Sequence, residues 1–458
     1  MSSSSTTNTN KEPLDDVLSP TEAASYGRVV AAALAGGRLT DAAPAALFMD
    51  TAAFQAECRA LVSSFPDSAL HGFAVKACPV VGVLKAAAAA GMGGECASEG
   101  EVALCVAAGM PAERIVLDSP CKTDTLLRKM LHTGVHINAD NLDEVARIHS
   151  LLQQDEFKHL SGKPPSVGLR INPQIGSGTI GMTSTAGTDN KFGVPLKDQR
   201  DVLVEAYCNT YQSFLTGVHV HVGSQGVSPQ QLVDGAKAVV ELAQEINTKA
   251  GKKQVTTVDI GGGLSVYYGP SAAKNGMISM ETYATMLRDQ VPALFDFRII
   301  TELGRRMVAP YGFLATRVQT IKRNATRTYV VGHVGADLLM RDVYAAAQWR
   351  HAIHVYNAAT QSFRGSNNGT ARFHVAGPLC FSGDIIAKDR VLPADVQEGD
   401  VLVMPMSGAY TISMYSRHTS QLVPAVYGYD GGDGDAKIEF ATLKKAETLE
   451  DLVRFWGG

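Results

Sequence analysis

Short apolar runs that end in glycine or a polar residue recur through the first two thirds of the chain, each followed by a stretch with helical spacing. The runs are GFAVK (72–76), GECAS (94–98), RIVLDS (114–119), GVHIN (134–138), SVGLRIN (166–172), GVHVHVG (217–223), TVDIGGG (257–263) and RIITELG (298–304). Runs this short and this apolar suit strands buried on both faces. The clearest intervening helix starts at Ser228, with Pro229 at its first position and Gln231 as capping-box partner. Leu232, Val233, Ala236, Val239, Val240, Ala243 and Ile246 then recur at three- and four-residue spacing and define one buried face. Strands alternating with helices pair in parallel through right-handed crossovers. Eight such units predict a closed (β/α)8 barrel, with an open doubly wound sheet as the structural alternative.

From about residue 310 the texture changes. TRTYVVGHV, ARFHVAG, DVLVMP and QLVPAVYGY are short and β-branched or aromatic, with turn segments such as PADVQEGD between them. This predicts an antiparallel β domain. PAALFMDT (44–51) reads as a separate buried strand. The expected organisation is a disordered tail over 1–19, an N-terminal segment over 20–50 packed on the β domain, a barrel over 51–310 and the β domain over 311–458.

A chain of 458 residues with 45% apolar and 19% charged residues can build cores of this size without disulfides or metals. A net charge of −4 excludes the basic patch of a nucleic-acid binder. Seven cysteines are scattered, with no CxxC pair, which points to a reducing compartment and a cytoplasmic protein. No apolar run reaches the roughly 18 residues of a membrane span. The N-terminus, MSSSSTTNTNKEPLDD, has no apolar h-region and no Arg. It reads as a solvated tail, with an organelle-targeting segment as the weaker alternative.

Chemistry in such a barrel gathers at the C-terminal ends of the strands. Lys76 ends the first run, where partial desolvation would make its amine a nucleophile toward aldehydes. The glycines after Asp259 and the Gly304–Arg305 pair follow the seventh and eighth runs, the position where barrels often bind phosphate. His219 and His221 share a strand face by the two-residue period. They could ligate a metal, but no third ligand of fitting spacing follows, and a planar cofactor would want a ring to stack on. Glu302 is a carboxylate at a buried strand end, costly unless it faces a partner such as a pyridinium N–H.

Together these segments resemble the fold-type III pyridoxal-phosphate family, which includes alanine racemase and the diaminopimelate, ornithine and arginine decarboxylases. FAVKACP resembles the family's YAVKANP, GGECASEGE its FDCAS-x-x-E and NKFG (190–193) its KFG. HVHVGSQ, DIGGGL and ELGR resemble HxGSQ, DxGGGF and EPGR, and GPLCFSGD (377–384) and GAYTISM (408–414) complete the series. The match runs in order over residues 45–425 and is nearest to diaminopimelate decarboxylase. The resemblance implies an alanine-racemase-like barrel and pyridoxal 5'-phosphate as cofactor. It also implies an amino-acid substrate that loses CO2, and a homodimer with shared active sites. Lys76 would carry the cofactor as a Schiff base, with Glu95 in the neighbouring motif. His221 would stack on the pyridine ring and Glu302 would pair with its nitrogen. Ser224, Gly262, Gly263 and Arg305 would surround the phosphate and the substrate's anionic end, with Tyr410 nearby. Cys380 would enter from the second subunit and return a proton to Cα. Apart from the resemblance, Arg305 and Arg341 (in LLMRDVY) could hold a distal carboxylate of the substrate or its α-carboxylate.

Four positions depart from the family pattern. Cys78 replaces Asn, Glu95 replaces Asp and Leu303 replaces Pro. Phe381 stands where diaminopimelate decarboxylases carry Glu and ornithine decarboxylases Asp. A substrate's distal ammonium would lack its carboxylate there, so a decarboxylase of a less basic amino acid is the alternative reading. A racemase and a non-catalytic regulator are the other classes considered. GPLCFSGD together with GAYT favours decarboxylation over the first, and an intact Lys76 argues against the second.

Overall fold

The apolar runs become strands, and the strands close into a ring. After β1 (Ala45–Asp50) come β2 (Leu70–Ala74), β3 (Gly93–Cys96), β4 (Ile115–Asp118), β5 (His136–Ala139) and β6 (Val167–Asn172). A two-residue β7 (Val194–Pro195) pairs only with β6, and β8 (Leu215–His219), β9 (Thr257–Asp259) and β10 (Arg298–Thr301) follow. The order β5-β4-β3-β2-β10-β9-β8-β6 is parallel throughout, and pairing of β5 with β6 closes it. The result is an eight-stranded (β/α)8 barrel. The computed structural model describes residues 12–160, 165–188, 190–268, 277–431 and 437–458.

Local chemistry explains the barrel's parts. Ser228 accepts from the Gln231 backbone N–H at 3.2 Å and Gln231 Oε1 accepts from the Ser228 N–H at 3.0 Å, so the helix Pro229–Ala250 begins with the expected reciprocal cap. All seven residues of its expected apolar face are buried. Inside the barrel wall, a Cβ on Gly168 would lie 2.5 Å from Asn138 Oδ1. Glycine there leaves room for a polar side chain where barrels usually hold aliphatic ones.

Two compact units divide the chain. Phe54–Val266 and Met277–Val308 form the barrel unit. The other unit takes the chain up to Ala53, Tyr267 and Tyr268, and Ala309–Gly458. Its strands are β1, β11 (Gly312–Arg323), β12 (Thr328–Gly332), β13 (His354–Asn357), β14 (Ser362–Phe363), β15 (Thr370–Ala376), β16 (Ile385–Pro393), β17 (Val401–Met404), β18 (Ala425–Tyr429) and β19 (Phe440–Lys444). Most pairings are antiparallel, but β1–β18 and β12–β15 are parallel, which the antiparallel expectation missed. β1 enters from far away in sequence, so no turn dictates its direction. The helix Pro20–Ala35 packs Val29, Val30 and Ala33 into a core with Phe48, Phe313 and Tyr356. Residues 1–11 lie outside the described residues. The rest of the expected tail is anchored, because Asp16 is buried against Arg390. No helix among the described residues is long and apolar enough to cross a membrane.

Candidate active site

Polar side chains collect at or just beyond the C-terminal ends of the barrel strands. Lys76 does not end β2 as expected. The strand stops at Ala74, and Lys76 sits in a single 3-10 turn, Val75–Ala77, closed by the Cys78 N–H on the Val75 carbonyl at 3.0 Å. The turn leaves Nζ 2.7 Å from both oxygens of Glu95 on β3. Ser98 then caps the next helix through the Glu101 N–H, while Glu101 accepts from the Ala97 N–H at 2.6 Å. The GGECASEGE segment is thus a strand, a tight turn and a capped helix that hold Glu95 rigidly.

Four carboxylates at this mouth are buried: Glu95, Asp118, Asp259 and Glu302. Lys76 and Arg170 lie among them, and the buried Lys122 also acts on Asp118. Arg170 Nη1 donates to Asp118 Oδ2 at 3.1 Å, and His219 lies 3.3 Å from Glu302 and 3.9 Å from Asp118. Burial pushes the Glu302 carboxyl well above its usual range, and Glu95 and Asp118 add to the shift. Burial and then Glu302 do the same to Asp259. Glu95 is also raised by burial, with Lys76 opposing. At Asp118 the pull of burial is outweighed by Arg170 and His219, and its carboxyl is held below the ordinary value.

The glycine loop after β9 is built by contact. The Gly261 N–H donates to Asp259 Oδ1 at 2.9 Å, and Asn138 Nδ2 donates to Asp259 Oδ2 at 2.9 Å. A Cβ on Gly262 would fall 2.0 Å from the Glu302 carbonyl, so only glycine passes between the ends of β9 and β10. Gly263 packs as closely on the Gly223 carbonyl, with φ +119°. His221 Nδ1 accepts from the Gly262 N–H at 3.2 Å, which leaves its proton on Nε2. Burial, then Arg170 and Lys76, hold this imidazole well below its usual pKa, so it is neutral. Ser224 is half-buried, its N–H on the Thr183 carbonyl at 2.8 Å. Arg305 is buried at the start of the helix Arg305–Val308.

The two histidines are not used as a pair. His221 turns to the glycine loop and His219 to Asp118 and Glu302. The atoms that could meet on one cation belong to Asp118, His219 and Glu302, all within 4.8 Å of one another. Asp118, Arg170 and Asn138 escaped the sequence reading. Each sits near the end of a barrel run, so asking for polar residues at all eight strand ends would have found them.

The second unit holds the remaining expected residues. The Arg341 guanidinium lies between the rings of Trp349 and Tyr410, 4.5 Å from each centroid. Tyr410 adopts φ +58°, a conformation costly for a residue with a Cβ. Cys380 is exposed. Phe381 lies parallel to Tyr344 at 6.2 Å and meets His418 edge-on at 5.8 Å.

Comparison with known proteins gives this geometry its context. Residues 51–309 match the family model described as pyridoxal-dependent decarboxylase, pyridoxal binding domain. The chain is 31% identical over 399 residues to diaminopimelate decarboxylase of Zymomonas mobilis subsp. mobilis, covering 86% of this chain and 87% of that protein. It is 28% identical to the Haemophilus influenzae enzyme of the same name, over 83% of this chain and 85% of the other. The crystal structure of Helicobacter pylori diaminopimelate decarboxylase complexed with L-lysine superposes with a TM-score of 0.76 at 26% identity, covering 90% of this chain and 96% of that one. The chain belongs to the pyridoxal-dependent decarboxylase family, with pyridoxal 5'-phosphate as its cofactor, and is similar within that family to the diaminopimelate decarboxylases.

Proposed function

We propose that the protein decarboxylates an α-amino acid at the barrel mouth, with Lys76 holding pyridoxal 5'-phosphate and diaminopimelate as the first candidate substrate. The observation that carries the assignment is Glu302. Its carboxylate is buried, yet neither oxygen has an aligned hydrogen-bond donor, since His219 at 3.3 Å lacks the geometry. A protonated pyridine nitrogen would supply the missing donor. The glycine loop after β9 and Arg305 after β10 occupy the strand ends where barrels of this kind often bind phosphate, and Ser224 follows Gly223, on which Gly263 packs.

When bound, the cofactor supplies an aldehyde for the substrate amine and a ring that accepts the electron pair left by CO2. Lys76 would hold the cofactor through Nζ, and Glu95, 2.7 Å from that Nζ, would take the ammonium whenever it is free. His221, neutral and fixed by Gly262, would lie against the ring. Glu302 would hold the proton at the ring nitrogen. Arg305 in the barrel and Arg341, braced between Trp349 and Tyr410 in the β unit, are each candidates to bind a substrate carboxylate. Cys380 returns the proton to Cα. Its exposure in one chain fits a role across a homodimer, each subunit completing its partner's site.

Phe381 favours a second reading of the substrate. Its ring, stacked on Tyr344, offers nothing to pair a distal ammonium, and an unpaired buried charge costs a few kcal/mol, about 1–3 kcal/mol or more. A less basic amino acid avoids that cost. CO2 release from a panel of amino acids, with Lys76→Ala as control, tests both readings. Release from diaminopimelate supports the first reading, and release only from less basic substrates supports the second. On the second reading Phe381→Glu creates or raises activity on diaminopimelate; no gain counts against this view of the pocket.

A further inference from the structure

A line of buried charged groups crosses the barrel mouth and ends on Glu302. The Phe192 ring supports the Arg170 guanidinium at 4.3 Å, and Arg170 Nη1 holds Asp118 Oδ2 at 3.1 Å. Asp118 Oδ1 is left facing His219 Nδ1 at 3.9 Å, and His219 Nε2 faces Glu302 Oε2 at 3.3 Å. Arg170, Asp118, His219 and Glu302 are each more than nine-tenths buried. No step described so far uses His219, yet both of its ring nitrogens point at carboxylates without an aligned hydrogen bond. Buried polar groups are ordinarily satisfied, so the arrangement calls for an explanation. Near-contacts of this kind tighten when the load arrives. A cation ligated by Asp118, His219 and Glu302 is the competing explanation, but Arg170 already occupies one Asp118 oxygen and would repel it.

We infer that His219 is a positioning residue: steered by Asp118, it donates from Nε2 to Glu302 and holds that carboxylate in line with the pyridine nitrogen of the cofactor. The inference rests on the assignment of Glu302 made above. Arg170 acts at the far end by fixing Asp118. The glycine loop then sets the phosphate end of the cofactor and the His219–Glu302 contact sets the ring end.

A double-mutant cycle on cofactor affinity tests this without turnover. Pyridoxal 5'-phosphate is titrated into apoprotein, and its dissociation constant and visible absorbance are read for wild type, His219→Ala, His219→Gln, Glu302→Gln and the His219→Ala/Glu302→Gln pair. A hydrogen bond to a charged group predicts that His219→Ala weakens binding by roughly 10- to 100-fold. His219→Gln keeps an N–H near Glu302 and should stay within about threefold of wild type. In the Glu302→Gln background, His219→Ala should cost less than about threefold, because the two residues act as one unit. Equal losses with and without the Glu302 carboxylate, or His219→Gln as weak as His219→Ala, would mark His219 as packing only and overturn the inference. Should His219→Ala not fold, Asp118→Asn enters the same cycle with the same pattern expected. A wild-type protein with no Lys76-dependent absorbance band overturns the underlying assignment instead, so the two failures are told apart.

Discussion

His71 and His136 lie within the barrel strands β2 and β5 and have no assigned role in the proposed chemistry. His71 Nδ1 bonds the Thr301 hydroxyl at 2.9 Å. His136 bonds Ser166 at 2.7 Å and Asn138 at 3.0 Å. Burial lowers both pKa values to about 4, with Arg114 assisting at His71 and the Asn138 bond opposing at His136. In an unfolded chain both would charge near 6.5. The folded protein therefore binds fewer protons than the unfolded one between about pH 6.5 and 4. Stability is full above that window and falls as pH drops through it, by on the order of 3 kcal/mol per histidine. Thermal melts from pH 7 to 4.5 should show this fall, and His71→Gln and His136→Gln should each flatten it. Variants whose melting temperatures track wild type at every pH would remove these histidines from the account.

At the scale of elements, the glycine loop is where geometry leaves least freedom. The ends of β9 and β10 approach so closely that a methyl group at 262 meets the Glu302 carbonyl, which is backbone and cannot swing aside. Gly262→Ala should cost about 3 kcal/mol of stability. It should also weaken cofactor binding, because the strand ends must part just where Glu302 leaves β10. The helix Pro229–Ala250 makes the opposite point. Its cap lies on the surface and touches no site residue, so Ser228→Ala should cost about 1 kcal/mol and leave cofactor affinity unchanged. Denaturation and cofactor titration of both variants separate the two cases. A Gly262→Ala protein as stable as wild type would mean that the strand ends relax freely.

At the scale of the whole molecule, the proposed site residues divide between units. Lys76, Glu95, His221 and Glu302 belong to the barrel, and Arg341, Cys380 and Tyr410 to the β unit. If Cys380 serves the partner's barrel, neither Lys76→Ala nor Cys380→Ala homodimers should turn over normally. Subunits exchanged between the two inactive proteins should regain about a quarter of wild-type activity, since half the dimers are mixed and each has one intact site. Activity should also fall on dilution below the dimer dissociation constant. No recovery after mixing, despite demonstrated subunit exchange, would confine each site to a single chain.

The sequence by itself determined the parts whose signals are local. Eight apolar runs make eight strands because a buried parallel strand must be apolar throughout, and the Ser228 cap is legible because capping needs only neighbours in sequence. Lys76, the glycines after Asp259, and Glu302 stand out because each breaks an apolar pattern just beyond a strand end. What the sequence did not carry is which of these groups meet. Asp118, Arg170, His219 and Glu302 come from four strands and lie up to 184 positions apart in the chain (302 − 118). Only closure of the barrel puts them in one line, as only sheet assembly makes β1 parallel to β18. The physical reason is that a pair's Coulomb and hydrogen-bond energies depend on distance in space and on burial. Spacing along the chain sets these only within a turn, a helix or a single strand.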